Sequence, residues 1–431
     1  MISILNDVIG PVMRGPSSSH SAAGLRIGRI ARDLMSKKIK KVLIEYDPDG
    51  ALKNTHKSQG TDMGLYSGFL GFDTKDEKLI KYQQYIKESG IKISVEYNTL
   101  EIKHPSTYKL TLKNDTRQHK LIAISTGGGM LEVLSIDNER TSFIGDSFIT
   151  LIFLKANADC SKLIAHIENA GFQIKDKNSK FISIASFEKA NDNFLKSITS
   201  FSEAGYIRII EPVLPILSAE DIKLPFRSPT EMLEYNSNKK LKLWQLALGY
   251  ESTRGHISED KVFEMMGEIV ETLTKSIEEG QKGTKYDDRI LHDQSVNFAK
   301  METDSGLLGS GLHNQIIHYV SVLMEVKSSM GVIVAAPTAG SCGVMPGAVF
   351  ATAHYMNLPK ADIVKAMLTA GIIGVFVAEK STFSAEVAGC MAECGVGSGM
   401  AAAALCQLGG GNIEQCLGAA SFALQNTMNG M

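Results

Sequence analysis

The sequence predicts a multidomain protein: an N-terminal α/β domain over residues 1–140, a small βαββαβ domain over 146–215 and a C-terminal all-α domain over 225–431. Three observations carry this reading. A chain of 431 residues is too long for one compact core. Strand-like apolar runs are confined to its first half. Beyond about residue 225, long helical patterns rich in Ala and Gly replace them.

In the first domain, helical segments alternate with strand-like runs such as KKVLIEYD and YKLTLKN, and the region closes on STGGGMLEV. The second begins with the apolar strand DSFITLIFLKA, followed by the helix CSKLIAHIENAG, two strands in FQIKDKNSKFISIASF, the helix NDNFLKSITSFSEA and the strand YIRIIEP. That order implies a small sheet with both helices on one face. SAEDIKLPFRSPTE reads as the linker into the helical domain. Within that domain AMLTAGIIGVFVA, residues 366–378, is a buried helix by length, because crossing a bilayer takes about 20 residues.

Composition narrows the partners. With 45 basic and 47 acidic residues, nothing in the charge balance favours nucleic acid or an anionic membrane. MISILNDVIGPVMRG lacks the basic start and sustained apolar run of a signal peptide. A cytoplasmic, reducing location is therefore expected, with the 6 cysteines as thiols or metal ligands. The open edges of the βαββαβ sheet predict a homodimer.

Two regions carry chemistry. In RGPSSSHSAAGLRIGRIARDL, residues 14–34, Ser17, Ser18, Ser19 and His20 stand where a helix begins. One hydroxyl suffices for an N-cap, so three with an imidazole point to an anion such as a carboxylate held at the helix start. In the C-terminal half, VIVAAPTAGSCGVMPGAVFATA and STFSAEVAGCMAECGVGSGMAAAA present Cys342, Cys390 and Cys394 on Gly-broken segments where a metal can approach. Spacing alone leaves iron–sulfur, zinc and a nucleophilic thiol open. Cys160, Cys406 and Cys416 read as small buried hydrophobes. STGGGM lacks the GxGxxG spacing of a dinucleotide loop.

GPSSSHSAAGLRIG, HKSQGTDMGLYSGFLGF, STGGGMLEV, APTAGSCGVMPGAV and GCMAECGVGSGMAAAA together closely resemble, in order, the signature segments of the oxygen-sensitive iron–sulfur L-serine dehydratases. The resemblance spans nearly the whole chain. It implies an ACT-like βαββαβ regulatory domain and a helical domain holding a [4Fe–4S] cluster. One iron of that cluster, not fully ligated by protein, would take the hydroxyl of a small amino-acid substrate as a Lewis acid. By the same resemblance Ser17, Ser18, Ser19, Thr61, Asp62 and Thr338 hold substrate and Cys342, Cys390 and Cys394 hold metal, while His20 and His56 are the candidate bases because the family's usual base position carries Gln59.

The chain departs from the family pattern in three places. Where the family reads K-G-H-G-T-D it reads Lys57-Ser58-Gln59-Gly60-Thr61-Asp62, so Gln59 cannot serve as base. Ser398 stands where some members carry a cysteine, which leaves Cys394 as the third ligand. The sequence stops at ALQNTMNGM, where family chains continue toward a further cysteine. Two functions follow: an L-serine ammonia-lyase giving pyruvate and ammonia, or a catalytically degenerate member that binds or senses a small amino acid.

Overall fold

The computed structural model describes residues 1–156, 159–218, 222–286, 289, 292–303 and 311–429. After an opening turn at Ile4–Val8 come strand β1 (Val12–Met13) and the serine-rich turn Ser18–Ala22, which runs on into α1 (Ala23–Leu34). There follow β2 (Lys41–Tyr46), α2 (Leu52–Thr55), α3 (Thr61–Leu70), α4 (Tyr82–Ser89), β3 (Lys92–Tyr97), β4 (Thr107–Lys113), β5 (Gln118–Gly127), β6 (Met130–Ile136) and β7 (Glu139–Phe143). The sheet order is β3-β2-β4-β5-β6-β7, with β2 and β3 parallel and the other pairs antiparallel. Ile27, Ile30 and Leu34 of α1 and Leu65 and Phe69 of α3 cover one face of it.

Glycine sets how closely α1 and α3 approach. A methyl group on Gly64 would lie 2.0 Å from Ser21 O, and one on Gly68 would lie 2.2 Å from Leu25 O and 2.7 Å from Gly28 Cα. On the other helix, a methyl on Gly28 would lie 2.4 Å from Leu65 O. The two backbones touch with no room for a side chain between them.

The next segment is β8 (Phe148–Leu154), α5 (Ser161–Asn169), β9 (Ile174–Lys177), β10 (Phe181–Ser186), α6 (Asp192–Thr199) and β11 (Ala204–Ile210). It forms an antiparallel sheet of order β11-β8-β10-β9. Leu163, Ile167, Phe194 and Ile198 of its helices pack with Ile152, Ile182 and Ile184 on one face. Alternate residues Ile149, Leu151 and Phe153 point the other way, into the core built on α1 and the first sheet. Burial on both faces explains why β8 reads as an unbroken apolar run. The two sheets therefore share a core, and the second is no free-standing module.

The remainder is α7 (Pro229–Asn236), α8 (Leu243–Gly255), α9 (Glu259–Gln281), α10 (Gln294–Thr303), α11 (Gly311–Ser328), β12 (Ile333–Val334), α12 (Val344–Tyr355), α13 (Lys360–Ala378), α14 (Ala385–Ala388), α15 (Cys394–Leu408) and α16 (Ile413–Asn429). Among the described residues α13 is the one helix long and apolar enough to cross a membrane, and 72% of its apolar window is buried within the helical core. This matches the length argument made for residues 366–378.

The start of the chain belongs to this helical core. Ile4, Leu5, Val8 and Ile9 are buried within it. The buried Glu251 carboxylate accepts from Ile4 N at 2.7 Å and from the Ser3 hydroxyl, while Asn6 exchanges hydrogen bonds with Ile216 N and O. Strand β1 then pairs with β12, Val12 opposite Val334. Residues 2–13 thus bridge the α/β and helical parts.

Replacing Gly64 or Gly68 with Ala is expected to cost about 1–3 kcal/mol of unfolding free energy, because overpacking a backbone contact forces the helices apart. Gly267 of α9 has nothing within 4 Å of an added methyl, so Gly267→Ala should gain about 0.5–1 kcal/mol. Urea denaturation of the three variants checks this; wild-type stability in both Gly64→Ala and Gly68→Ala would contradict the packing account.

Candidate active site

The serine-rich turn lies where the α/β domain meets two C-terminal loops. Ser17 occupies the N-cap position, yet its hydroxyl makes no capping bond. It lies 3.0 Å from His20 Nδ1 and 3.2 Å from Ser19 Oγ. Ser19 Oγ is 3.3 Å from the same ring nitrogen and donates to Glu386 Oε1 at 3.4 Å. Neither hydroxyl is used up by capping.

The tautomer of His20 follows from its other side. Its Nε2 lies 2.9 Å from Thr55 Oγ1. The Thr55 hydroxyl has one proton and donates it to Ala51 O at 2.7 Å, so it accepts from Nε2–H. Nδ1 therefore carries a lone pair, facing Ser17, Ser19 and, at 3.8 Å, Glu386 Oε1. His20 is 4% exposed. Burial pushes its pKa below the ordinary value, against an opposing pull from Glu386. The result is a neutral imidazole whose basic nitrogen accepts from the serine hydroxyls.

His56 is held differently. Its Nδ1 lies 2.8 Å from Asp62 Oδ1 and its Nε2 2.9 Å from Tyr97 OH, so both nitrogens are engaged. Burial raises the Asp62 pKa while His56 opposes it. Asp62 thus faces His56, and Thr61, fully buried at the head of α3, has an unpartnered hydroxyl. Gly60, at φ 84°, turns the chain against Ser21, whose Oγ would lie 2.4 Å from an added methyl.

Ser18 has a different duty from its neighbours. Its Oγ accepts from Ala339 N at 3.2 Å, which fastens the serine turn to the Pro337–Cys342 loop. That bond uses one lone pair of the hydroxyl, so Ser18 ties the turn to the loop while its own proton stays available to donate. In the same loop Thr338 Oγ1 donates to Glu393 and lies 3.3 Å from Ser341 Oγ. STGGGM forms the tight β5–β6 hairpin turn: a methyl on Gly127, at φ 100°, would meet Ser384 N at 2.6 Å, and Gly128 lies against Pro337 O. These glycines let the hairpin wedge between the two C-terminal loops.

Cys342 is buried against Met324 Sδ at 3.9 Å, and burial pushes its thiol pKa up to about 12. Cys390 and Cys394 are exposed, and the Cys394 thiol is also raised, by burial and then by Glu393. Among the described residues no three His, Cys, Asp or Glu side chains gather as a metal-binding group. As placed, the three cysteines do not fit an iron–sulfur cluster.

Glu386, Thr55 and Glu393 escaped the reading of the sequence. One signal was available, since Glu386 and Glu393 are the only charges in STFSAEVAGCMAECGVGSGMAAAA. Thr55 had no such mark.

A family model described as serine dehydratase alpha chain matches residues 238–431. The chain is 37% identical over 140 residues to a probable L-serine dehydratase beta chain of Bacillus subtilis, covering 32% of this chain and 63% of that one. It is 31% identical over 202 residues to the L-serine dehydratase alpha chain of Peptoniphilus asaccharolyticus, covering 46% and 68%. It is also 26% identical over 246 residues to L-serine dehydratase 1 of Escherichia coli, covering 55% of this chain and 54% of that protein, about half its length. With likeness to both alpha and beta chains in one polypeptide, the chain belongs to the L-serine dehydratase family.

Proposed function

We propose that this chain is an L-serine ammonia-lyase, and that L-serine binds between Ser17, Ser19, His20 and Glu386. The observation that carries the reading is the buried His20 imidazole, whose unprotonated Nδ1 faces two hydroxyls and a carboxylate. L-Serine brings a carboxylate for the hydroxyls, an ammonium for Glu386 and an α C–H for the base. His20 Nδ1 takes the α-proton. Loss of the β-hydroxyl then gives aminoacrylate, which tautomerises and hydrolyses to pyruvate and ammonia. Thr55 positions the ring, and Asp62 and Tyr97 hold His56 beside it. Thr338 supports the neighbouring loop through Glu393.

Family resemblance implies a [4Fe–4S] cluster as the Lewis acid for hydroxide loss. A cluster on Cys342, Cys390 and Cys394 requires the exposed pair to approach the buried Cys342. A second reading, a protein that binds L-serine without turning it over, rests on Gln59 and Ser398 standing where the family carries histidine and cysteine. The βαββαβ segment is proposed as an ACT-like regulatory domain, and the protein as a cytoplasmic homodimer.

Glu386→Gln should weaken L-serine about ten- to a hundredfold, because an ammonium loses its charged partner. Ser17→Ala should also lose affinity. Ser18→Ala should instead lower the thermal midpoint and leave affinity alone. Calorimetric titration reads all three, and unchanged affinity in both Glu386→Gln and Ser17→Ala would overturn the binding site.

The pH profile follows from His20. A base whose pKa is lowered stays unprotonated further into acid, so the acid limb of kcat/KM should fall below pH 6.5, the ordinary imidazole value. A limb centred above pH 6.5 would contradict His20 as base.

Anaerobic reconstitution with iron and sulfide separates the two functions. The lyase reading expects bound iron and sulfide that Cys342→Ala loses and Cys416→Ala keeps. Wild-type protein that stays colourless and iron-free while binding L-serine would establish the sensor.

A further inference from the structure

We propose that a cavity at the three-way junction of the chain, distinct from the proposed serine site, binds a small aliphatic carboxylate. The cavity, of about 390 Å³, lies between α1, the connector that follows β11, and α9.

Its most telling residue is Arg26 of α1. The side chain is 3% exposed, yet its guanidinium has a single strong hydrogen bond, to Gly129 O at 2.6 Å, and a long contact to Met130 Sδ at 3.9 Å. Its Nε has no partner. No carboxylate forms an ion pair with it among the described residues; Asp7 and Asp73 act only at longer range. Burial pushes its pKa down to about 10, which registers how poorly the charge is compensated. A buried charge normally comes with a hydrogen-bonded counter-ion.

The remaining lining specifies the missing partner. Arg29 and Lys75 add two cations, while Asp73 and Glu268 add two carboxylates, so with Arg26 the side chains lining the cavity carry one positive charge in excess, Asp7 lying outside the lining. A monoanion balances it, whereas a dianion such as phosphate would face the two carboxylates. A guanidinium matches the planar fork of a carboxylate. Leu25, Val213 and Leu214 supply an apolar wall for a short aliphatic body.

The position couples the cavity to the rest of the molecule. Arg26 is six residues beyond His20 on one continuous helical run, and Val213 and Leu214 belong to the connector leaving the βαββαβ segment. A ligand there touches the element that carries the serine turn.

Propionate tests the proposal on the full chain, titrated by calorimetry and thermal shift against sodium chloride and sulfate at equal ionic strength. Expected are saturable propionate binding, a raised thermal midpoint, and no saturable effect of sulfate. Arg29→Gln should weaken propionate about tenfold. Thr272→Phe, which fills the cavity from α9, should abolish propionate binding while the protein still binds L-serine. If Thr272→Phe does not fold, Arg29→Gln decides. The proposal is overturned if wild-type protein shows no saturable propionate binding, if both variants bind propionate like wild type, or if L-serine displaces it competitively, which would place the carboxylate in the proposed serine site.

Discussion

The contact of α1 with α3 through bare glycine backbone is the constraint on which the site depends. Gly28, Gly64 and Gly68 bring the two helices to a separation that no side chain permits, and Gly60 turns the chain into α3 against Ser21. That approach fixes the serine turn at the head of α1 against the segment carrying Thr55 and His56. The His20–Thr55 hydrogen bond, and with it the tautomer that leaves Nδ1 basic, exists only at that spacing. Packing thus determines protonation, and protonation determines what the imidazole can do.

The second half of the site arrives from far away in the sequence. Ser18 holds the Pro337–Cys342 loop through Ala339, and Ser19 reaches Glu386. Three connections keep these loops in register with the α/β part: the pairing of β1 with β12, the glycine hairpin at residues 127–129, and the opening turn sunk into the helical core under Glu251. The division between the alpha-like and beta-like portions is therefore not a surface contact of finished domains. Residues 2–13 complete a core built mainly from the other end of the chain.

Much of this was legible in the residues. The βαββαβ order could be read because each of its elements carries its own periodicity, whereas burial of β8 on both faces emerged only from the shared core. The surplus of hydroxyls in Ser17–Ser19 pointed to more than a cap, and Ser17 indeed caps nothing. Division of labour among the three was not legible, because Ser18 is distinguished from its neighbours only by an amide 321 residues away. The opening MISILND looked like the start of the α/β domain, since nothing local shows that Ser3 meets a buried Glu251. Glu386 was visible as a charge in an uncharged stretch, but its target is set by the fold. The cysteine loops had the composition of a metal site, whereas convergence of their thiols is a three-dimensional property that the described arrangement lacks.

His20 Nδ1 is proposed to remove the α-proton of L-serine held by Ser17, Ser19 and Glu386. Washout of the α-deuterium from L-[2-²H]serine, followed by NMR in protein prepared anaerobically with iron and sulfide, tests it most directly. The account predicts that wild-type protein releases the label and that His20→Asn retains it while still binding L-serine in a parallel calorimetric titration. Release of the label by His20→Asn at the wild-type rate would contradict it.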